Sequence, residues 1–221
     1  MMRITSGQYK GRIIQMPKGI RPTQGLVRKA LFDILGDIEG LSFLELFAGS
    51  GAVGFEALSQ GAKQVVFVEN TPNCLKALKN NFTYLLPTTY YLLPLDVFIA
   101  IKKLFKDKKQ FNIIFLDPPY YRPPRRRRGD SQSHKEMSKK ILQMLGAYDI
   151  LAPNGFVVVQ HFKKEQLPKE SGKLTLIKES RYGDTMLSFY RKVTINQSSM
   201  KITENRALQR VQKTEYRAQK K

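Results

Sequence analysis

Apolar runs and amphipathic stretches alternate through the middle of this chain, and that alternation restricts its fold more than any other feature. Leu41 to Phe47, Gln64 to Val68, residues 89–95, Phe111 to Leu116 and Gly155 to Val159 are runs rich in aliphatic and aromatic side chains. Between them, residues 51–60, 71–82, 97–105 and 137–147 have a helical pattern. Strands alternating with helices build a parallel, doubly wound α/β sheet, and unbroken apolar runs are strands covered on both faces. Pro94 falls inside the third run and marks an edge strand, because proline has no N–H to give a ladder. Leu174 to Tyr182 and Met186 to Arg191 are strand-like and joined by Gly183-Asp184, a two-residue hairpin turn. The sheet is expected to close with this antiparallel pair.

Ahead of the sheet, residues 3–16 read as two short strands around Gly7-Gln8-Tyr9-Lys10-Gly11. Pro17 and Pro22 interrupt the chain, and Thr23 is a candidate N-cap for a helix to about Leu35, with Gly36 past its end. The expected organisation is an N-terminal hairpin-and-helix arm over 1–36, an α/β domain over 37–192 with a basic loop at 122–136, and a basic tail over 193–221. A chain of 221 residues can bury one α/β core and still carry such appendages. The tail is polar, and reads as a marginal helix or as disordered.

The net charge of +20 is unevenly spread. Residues 1–32 hold seven Lys or Arg and no acid, residues 122–140 eight basic and two acidic, and residues 193–221 seven and two. Basic charge confined to an arm, a loop and a tail points to a polyanionic partner. Arg3, Arg12, Arg21 and Arg28 in the arm and Arg125 and Arg126 in the loop are the candidate phosphate contacts. Cys74 is the single cysteine, so an internal disulfide is excluded and a reducing compartment fits. No stretch approaches the roughly 20 apolar residues of a membrane span, so a soluble cytoplasmic protein is expected.

Gly49-Ser50-Gly51-Ala52-Val53-Gly54 has the spacing G-x-G-x-x-G, with a strand before it and a helix after it. Glu69 closes the next strand, where a carboxylate can accept both hydroxyls of a ribose. Glu45, just before the loop, would repel a pyrophosphate at the helix N-terminus and welcome a cationic amino acid. S-adenosylmethionine carries an ammonium and a sulfonium and no phosphate, and is favoured over NAD(P). Asp96, or the N–H of Val97 after it, could bind an adenine edge, although Asp96 would serve equally as a helix N-cap. Phe47 and Asn70, flanking the first two strand ends, complete the candidate cofactor residues. All four positions follow the carboxyl ends of strands, where parallel sheets bind ligands.

The fourth run ends in Asp117-Pro118-Pro119-Tyr120, a carboxylate, a rigid backbone carbonyl and an aromatic ring in four residues. The lone pair of an exocyclic base amine is delocalised into the ring. Hydrogen bonds from that amine to the Asp117 carboxylate and the Pro118 carbonyl would draw the nitrogen toward tetrahedral geometry, while Tyr120 stacks on the base. With His134 and His161 the only histidines and no Cys/His cluster, no metal is expected.

These motifs resemble a family. Phe115-Leu116-Asp117-Pro118-Pro119-Tyr120 is similar to the signature of amino-group methyltransferases. The opening Met2-Arg3-Ile4-Thr5-Ser6-Gly7, then Gly11-Arg12, Arg21-Pro22-Thr23, Val27-Arg28, Ala30-Leu31-Phe32, and the late Tyr182-Gly183-Asp184-Thr185 resemble the bacterial small-subunit ribosomal RNA guanine-N2 methyltransferases of the RsmD type. The resemblance spans roughly residues 2–191. It implies a seven-stranded, Rossmann-like class I methyltransferase sheet, S-adenosylmethionine as methyl donor, and an N2-methylguanosine product in small-subunit rRNA, made during or after assembly of the subunit. A monomer is expected. Departures are Lys29 where the family has an acid, the longer arginine-rich stretch Arg122 to Asp130, and the extension beyond residue 192.

Two other readings stay open. An adenine-N6 or cytosine-N4 DNA methyltransferase would share the Asp-Pro-Pro-Tyr chemistry, and a non-catalytic RNA-binding assembly factor would share the fold. The intact Gly49, Glu69, Asp96 and Asp117 argue against the second.

Overall fold

The computed structural model describes residues 2–17, 19, 25–85, 89–119 and 136–192. Tyr120, Arg21, Arg125, Arg126 and the tail over 193–221 lie outside the described residues. The described chain runs β1 (Met2–Arg3), β2 (Ile13–Ile14), α1 (Gly25–Leu35), β3 (Ser42–Leu46), α2 (Ala52–Ser59), β4 (Gln64–Val68), α3 (Pro72–Leu85), β5 (Tyr90–Leu93) and α4 (Val97–Lys106). It continues as β6 (Phe111–Leu116), α5 (Met137–Ala147), β7 (Leu151–Phe162), β8 (Glu170–Ser171), β9 (Leu174–Tyr182) and β10 (Thr185–Lys192). No described helix is long and apolar enough to cross a membrane.

The main sheet has eight strands in the order β5-β4-β3-β6-β7-β10-β9-β8. From β5 to β7 every pairing is parallel, and β10, β9 and β8 add antiparallel. This is the doubly wound sheet with the expected antiparallel close, plus the two-residue strand β8. The chain winds outward from β3 to β4 and β5, then crosses back to β6 on the other side of β3. Ligand crevices form where the direction of winding reverses, here between β3 and β6.

Alternation of side chains puts the apolar runs into two layers. Phe43, Phe67, Ile113, Phe115 and Val158 face one side. Leu44, Leu46, Val66, Leu116, Val157 and Val159 face the other, against α4 and α5. β5 is the edge strand that Pro94 suggested, but it stops at Leu93, one residue before the proline, rather than running through it. β7 is longer than the apolar run predicts and carries Gln160 and His161 within the sheet.

The arm is built into the main core. Met2, Ile4, Tyr9, Ile14, Val27, Leu31 and Phe32 share one apolar cluster with Phe55 and Phe67. Polar contacts hold it there. Glu56 of α2 accepts from the backbone N–H of Thr5 (2.9 Å) and Ser6 (2.8 Å) and from both hydroxyls. The Ser59 hydroxyl donates to the carbonyl of Ser6 and accepts from the N–H of Tyr9. Gly7 makes this approach possible, since a Cβ there would lie 1.8 Å from the Ser59 carbonyl oxygen.

Candidate active site

Register brings four strand ends together. Leu46 pairs with Val68 and with Leu116, Val68 pairs with Leu93, and Leu116 pairs with Val159. Glu45, Glu69, Asp96, Asp117 and Gln160 therefore gather at one edge of the sheet.

Between β3 and α2 the backbone takes a left-handed conformation three times in five residues, at Phe47 (φ 58°), Gly49 (φ 56°) and Gly51 (φ 78°). A non-glycine residue in this region is uncommon, and such strain concentrates where backbone shape is used for binding. The three glycines do different work. A Cβ on Gly54 would come within 2.3 Å of the Phe67 ring and 2.7 Å of Glu45 Oε2, so this glycine lets α2 lie against the sheet. A Cβ on Gly51 would meet Leu78 and Phe55 at 2.7 Å. A Cβ on Gly49 would meet nothing within 4 Å, so its bare backbone faces open space. That is the position where a ligand can approach the main chain.

Glu45 is buried and accepts from the N–H groups of Gly54 (2.9 Å) and Val53 (3.3 Å) at the start of α2. Burial pushes its carboxyl up to about 8, against the pull of those two N–H bonds, and the nearby charges of Asp117 and Glu69 add to the rise. A cationic group beside it would draw the carboxyl back to its ionised form.

Glu69 braces the loop. Its Oε2 accepts from Gly49 N–H (2.8 Å), and its Oε1 accepts from Asn70 (2.9 Å) and Thr71 (2.8 Å). A carboxylate has about four acceptor positions, so about one is left for a ligand hydroxyl rather than a pair of them. Ser50 is buried, and its carbonyl accepts from Asn81 Nδ2 at 3.1 Å. Asp96 is the N-cap of α4, with Oδ1 accepting from Phe98 N–H at 2.9 Å, and the Val97 N–H lies at the free first turn of that helix.

Asp117 is half-buried, Pro118 buried and Pro119 exposed. Gln160 Nε2 donates to Asp117 Oδ2 at 2.6 Å. The sequence expectations do not include Gln160. The available signal is that the run Phe156 to Val159 ends in a polar residue at the same sheet edge where its neighbours end in carboxylates.

The candidate phosphate contacts divide. Arg3 and Arg12 are exposed, with one guanidinium nitrogen each donating to a backbone carbonyl, Gly11 (2.8 Å) and Leu85 (3.0 Å) respectively. Arg28 corrects the expectation. It is 2% exposed, its Nε lies 3.0 Å from Glu56 Oε2, and another nitrogen donates to the Arg3 carbonyl at 2.7 Å. A guanidinium committed in this way inside the protein holds the arm and does not reach a phosphate on the surface.

The family described as conserved hypothetical protein 95 matches residues 2–191. The Bacillus subtilis protein YlbH is 32% identical over 195 residues, covering 86% of this chain and 99% of that protein. Ribosomal RNA small subunit methyltransferase D of Escherichia coli is 28% identical over 194 residues, covering 86% and 90%. The solved structure of Escherichia coli YhhF superposes with a TM-score of 0.70 at 28% identity, covering 86% of this chain and 97% of that one.

Proposed function

The chain belongs to the conserved hypothetical protein 95 family, and on that premise we propose that it methylates the exocyclic N2 amine of a guanosine in small-subunit ribosomal RNA. The observation that carries the reading is Asp117-Pro118 beside the glycine loop, at the reversal of the sheet between β3 and β6.

The residues present fit S-adenosylmethionine. Glu45, Phe47, Gly49, Ser50 and Gly51 would hold its amino-acid end, Glu69 and Asn70 its ribose, and Asp96 with Val97 its adenine. The open face at Gly49 and a buried carboxylate that gains by meeting a cation both favour such a ligand over a pyrophosphate. When bound, S-adenosylmethionine supplies an electrophilic methyl group on a sulfonium.

Asp117 accepts an N–H of the target amine, and the Pro118 carbonyl, fixed by its ring and by burial, accepts the other. These two bonds orient the nitrogen lone pair along the line of displacement. As the nitrogen gains positive charge, the Asp117 carboxylate stabilises it and can take the surplus proton. Asp-Pro-Pro-Tyr chemistry serves adenine and cytosine amines as well, so the choice of guanine rests on the family. The N1–H that guanine carries beside its amine is a second donor the carboxylate can accept. Tyr120 stacks on the base, which leaves its own stack at a cost of roughly a few kcal/mol.

Arg3, Arg12, Arg21, Arg125 and Arg126 position the RNA through its phosphates. The acceptor is rRNA within an assembling or assembled small subunit, and the enzyme works in the cytoplasm as a monomer. Transfer of labelled methyl to small subunits that lack the modification tests this reading, with Asp117→Ala as control and digestion to nucleosides. N2-methylguanosine that disappears with the control supports it. Label on adenine or cytosine overturns the choice of base.

A further inference from the structure

Gln160 stands beside this chemistry without a part in it. We propose that Gln160 is a positioning residue, which holds the Asp117 carboxylate in the orientation that receives the target amine. The inference rests on the methyl-transfer reading of the same site.

Placement comes first. Leu116 and Val159 are register partners, so the residues that follow them, Asp117 and Gln160, are neighbours on adjacent strands. Phe115 and Val158, two residues before each, share one core layer, so Asp117 and Gln160 extend from the same face. The backbone of Gln160 is held in the ladder with β10, where it pairs with Leu187, one residue beyond the last β6 pairing at Val159. Its side chain has little freedom to wander.

The contact itself is short. Nε2 to Oδ2 is 2.6 Å, just under the usual range of about 2.7–3.2 Å for N–H···O, as befits a carboxylate acceptor. Gln160 is only 3% exposed, in a strand whose preceding residues, Val157, Val158 and Val159, are all buried and apolar. Burying an amide among them costs free energy that another valine would avoid. The bond to Asp117 offsets part of that cost.

A neutral donor suits the reaction better than a cationic one. The exocyclic nitrogen becomes positive as the methyl arrives, and Asp117 must keep its full negative charge to meet it. Lysine or arginine at 160 would orient the carboxylate but neutralise it. An amide orients it and leaves the charge in place.

Gln160→Glu and Gln160→Leu in the full chain test the assignment. The glutamate variant sets two carboxyl groups side by side, and such a pair shares one proton at moderate pH. In that state the protonated carboxyl donates an O–H to Asp117 as the amide did. We expect its kcat to fall about tenfold across an alkaline limb that the parent lacks, with the KM for S-adenosylmethionine unchanged. Gln160→Leu should lose roughly 10- to 100-fold in kcat, with cofactor affinity within about twofold of the parent. A side chain that merely filled the core would give neither the limb nor the split.

A readout without turnover separates this inference from the reading beneath it. In a carbon-13 NMR titration of substrate-free protein, the Asp117 carboxyl of Gln160→Leu should titrate about one unit higher than in the parent, since a bond to the charged form is lost. An unchanged titration, or a Gln160→Glu pH profile that overlays the parent, overturns the proposal. If the parent transfers no methyl group to RNA, the reading of the function fails and the titration still decides the role of Gln160.

Discussion

Arg28 and Glu56 meet at 3.0 Å with side chains 2% and 0% exposed, one from the arm and one from the helix that follows the glycine loop. Removing one partner of such a buried pair leaves the other charge unmatched, which costs about 3–5 kcal/mol. Glu56→Gln is expected to lower the free energy of unfolding measured in urea by that order. Arg28→Met should cost less, because Thr5 and Ser6 still donate to Glu56. Equal, small losses in both variants would refute this account of the arm.

The same carboxylate sets an acid limit. Burial alone would raise the Glu56 carboxyl, but the bonds from Thr5, the Arg28 charge and the Ser6 bond outweigh it and hold it below its usual value of 4.5. A group depressed in the fold stabilises above its unfolded value and loses that contribution as pH falls through the folded one. Stability should therefore decline below about pH 4.5, and Glu56→Gln should flatten that decline in a pH series of melting temperatures.

Glu45 has the opposite sign. Its carboxyl is raised to about 8, so between 4.5 and about 8 the folded chain binds a proton that the unfolded chain does not. Its contribution to stability falls as pH rises through that window and levels off above it. If a ligand ammonium sits beside it, binding below pH 8 must release a proton. Calorimetry of S-adenosylmethionine binding in buffers of different ionisation enthalpy should show that release, and Glu45→Gln should abolish it.

The glycines of the loop should separate by readout. Gly54→Ala forces a Cβ against Phe67 and should prevent stable folding. Gly49→Ala meets no atom but keeps a left-handed φ of 56°, at a cost of about 1–2 kcal/mol. It should fold and bind S-adenosylmethionine poorly. A Gly49→Ala protein with parental affinity would mean that the ligand does not approach this backbone.

RNA affinity should fall steeply with salt, and the slope reports how many phosphates are held. Arg3→Ala and Arg12→Ala should each reduce the slope by about one. Arg28→Met should leave it unchanged.

The order of the sheet was legible because it follows from runs that solvent cannot reach. The five parallel strands, the edge at Pro94 and the hairpin at Gly183-Asp184 each had a local cause. Arg28 was misread because a cation in a basic segment looks like a surface group. Helical spacing placed it four residues before Phe32, on the face that α1 buries. Glu56 and Asn81 gave no local sign of their roles, since their partners stand 28 to 66 residues away. β8 is two residues long and has no pattern to detect.

Asn81 is buried, accepting from the Gln15 N–H and donating to the carbonyls of Gln15 and Ser50. Among the described residues, the long-range polar anchors of the arm lie in α2 and α3, between Glu56 and Leu85. Synthesis runs from the amino end, so the arm emerges well before the groups that receive it. Residues 5–9 can attach only once α2 has been made, and residues 12–15 only once α3 has. They are among the first described residues to be made and among the last able to settle, and Asn81, which holds the backbone of Gln15, also holds the Ser50 carbonyl of the glycine loop.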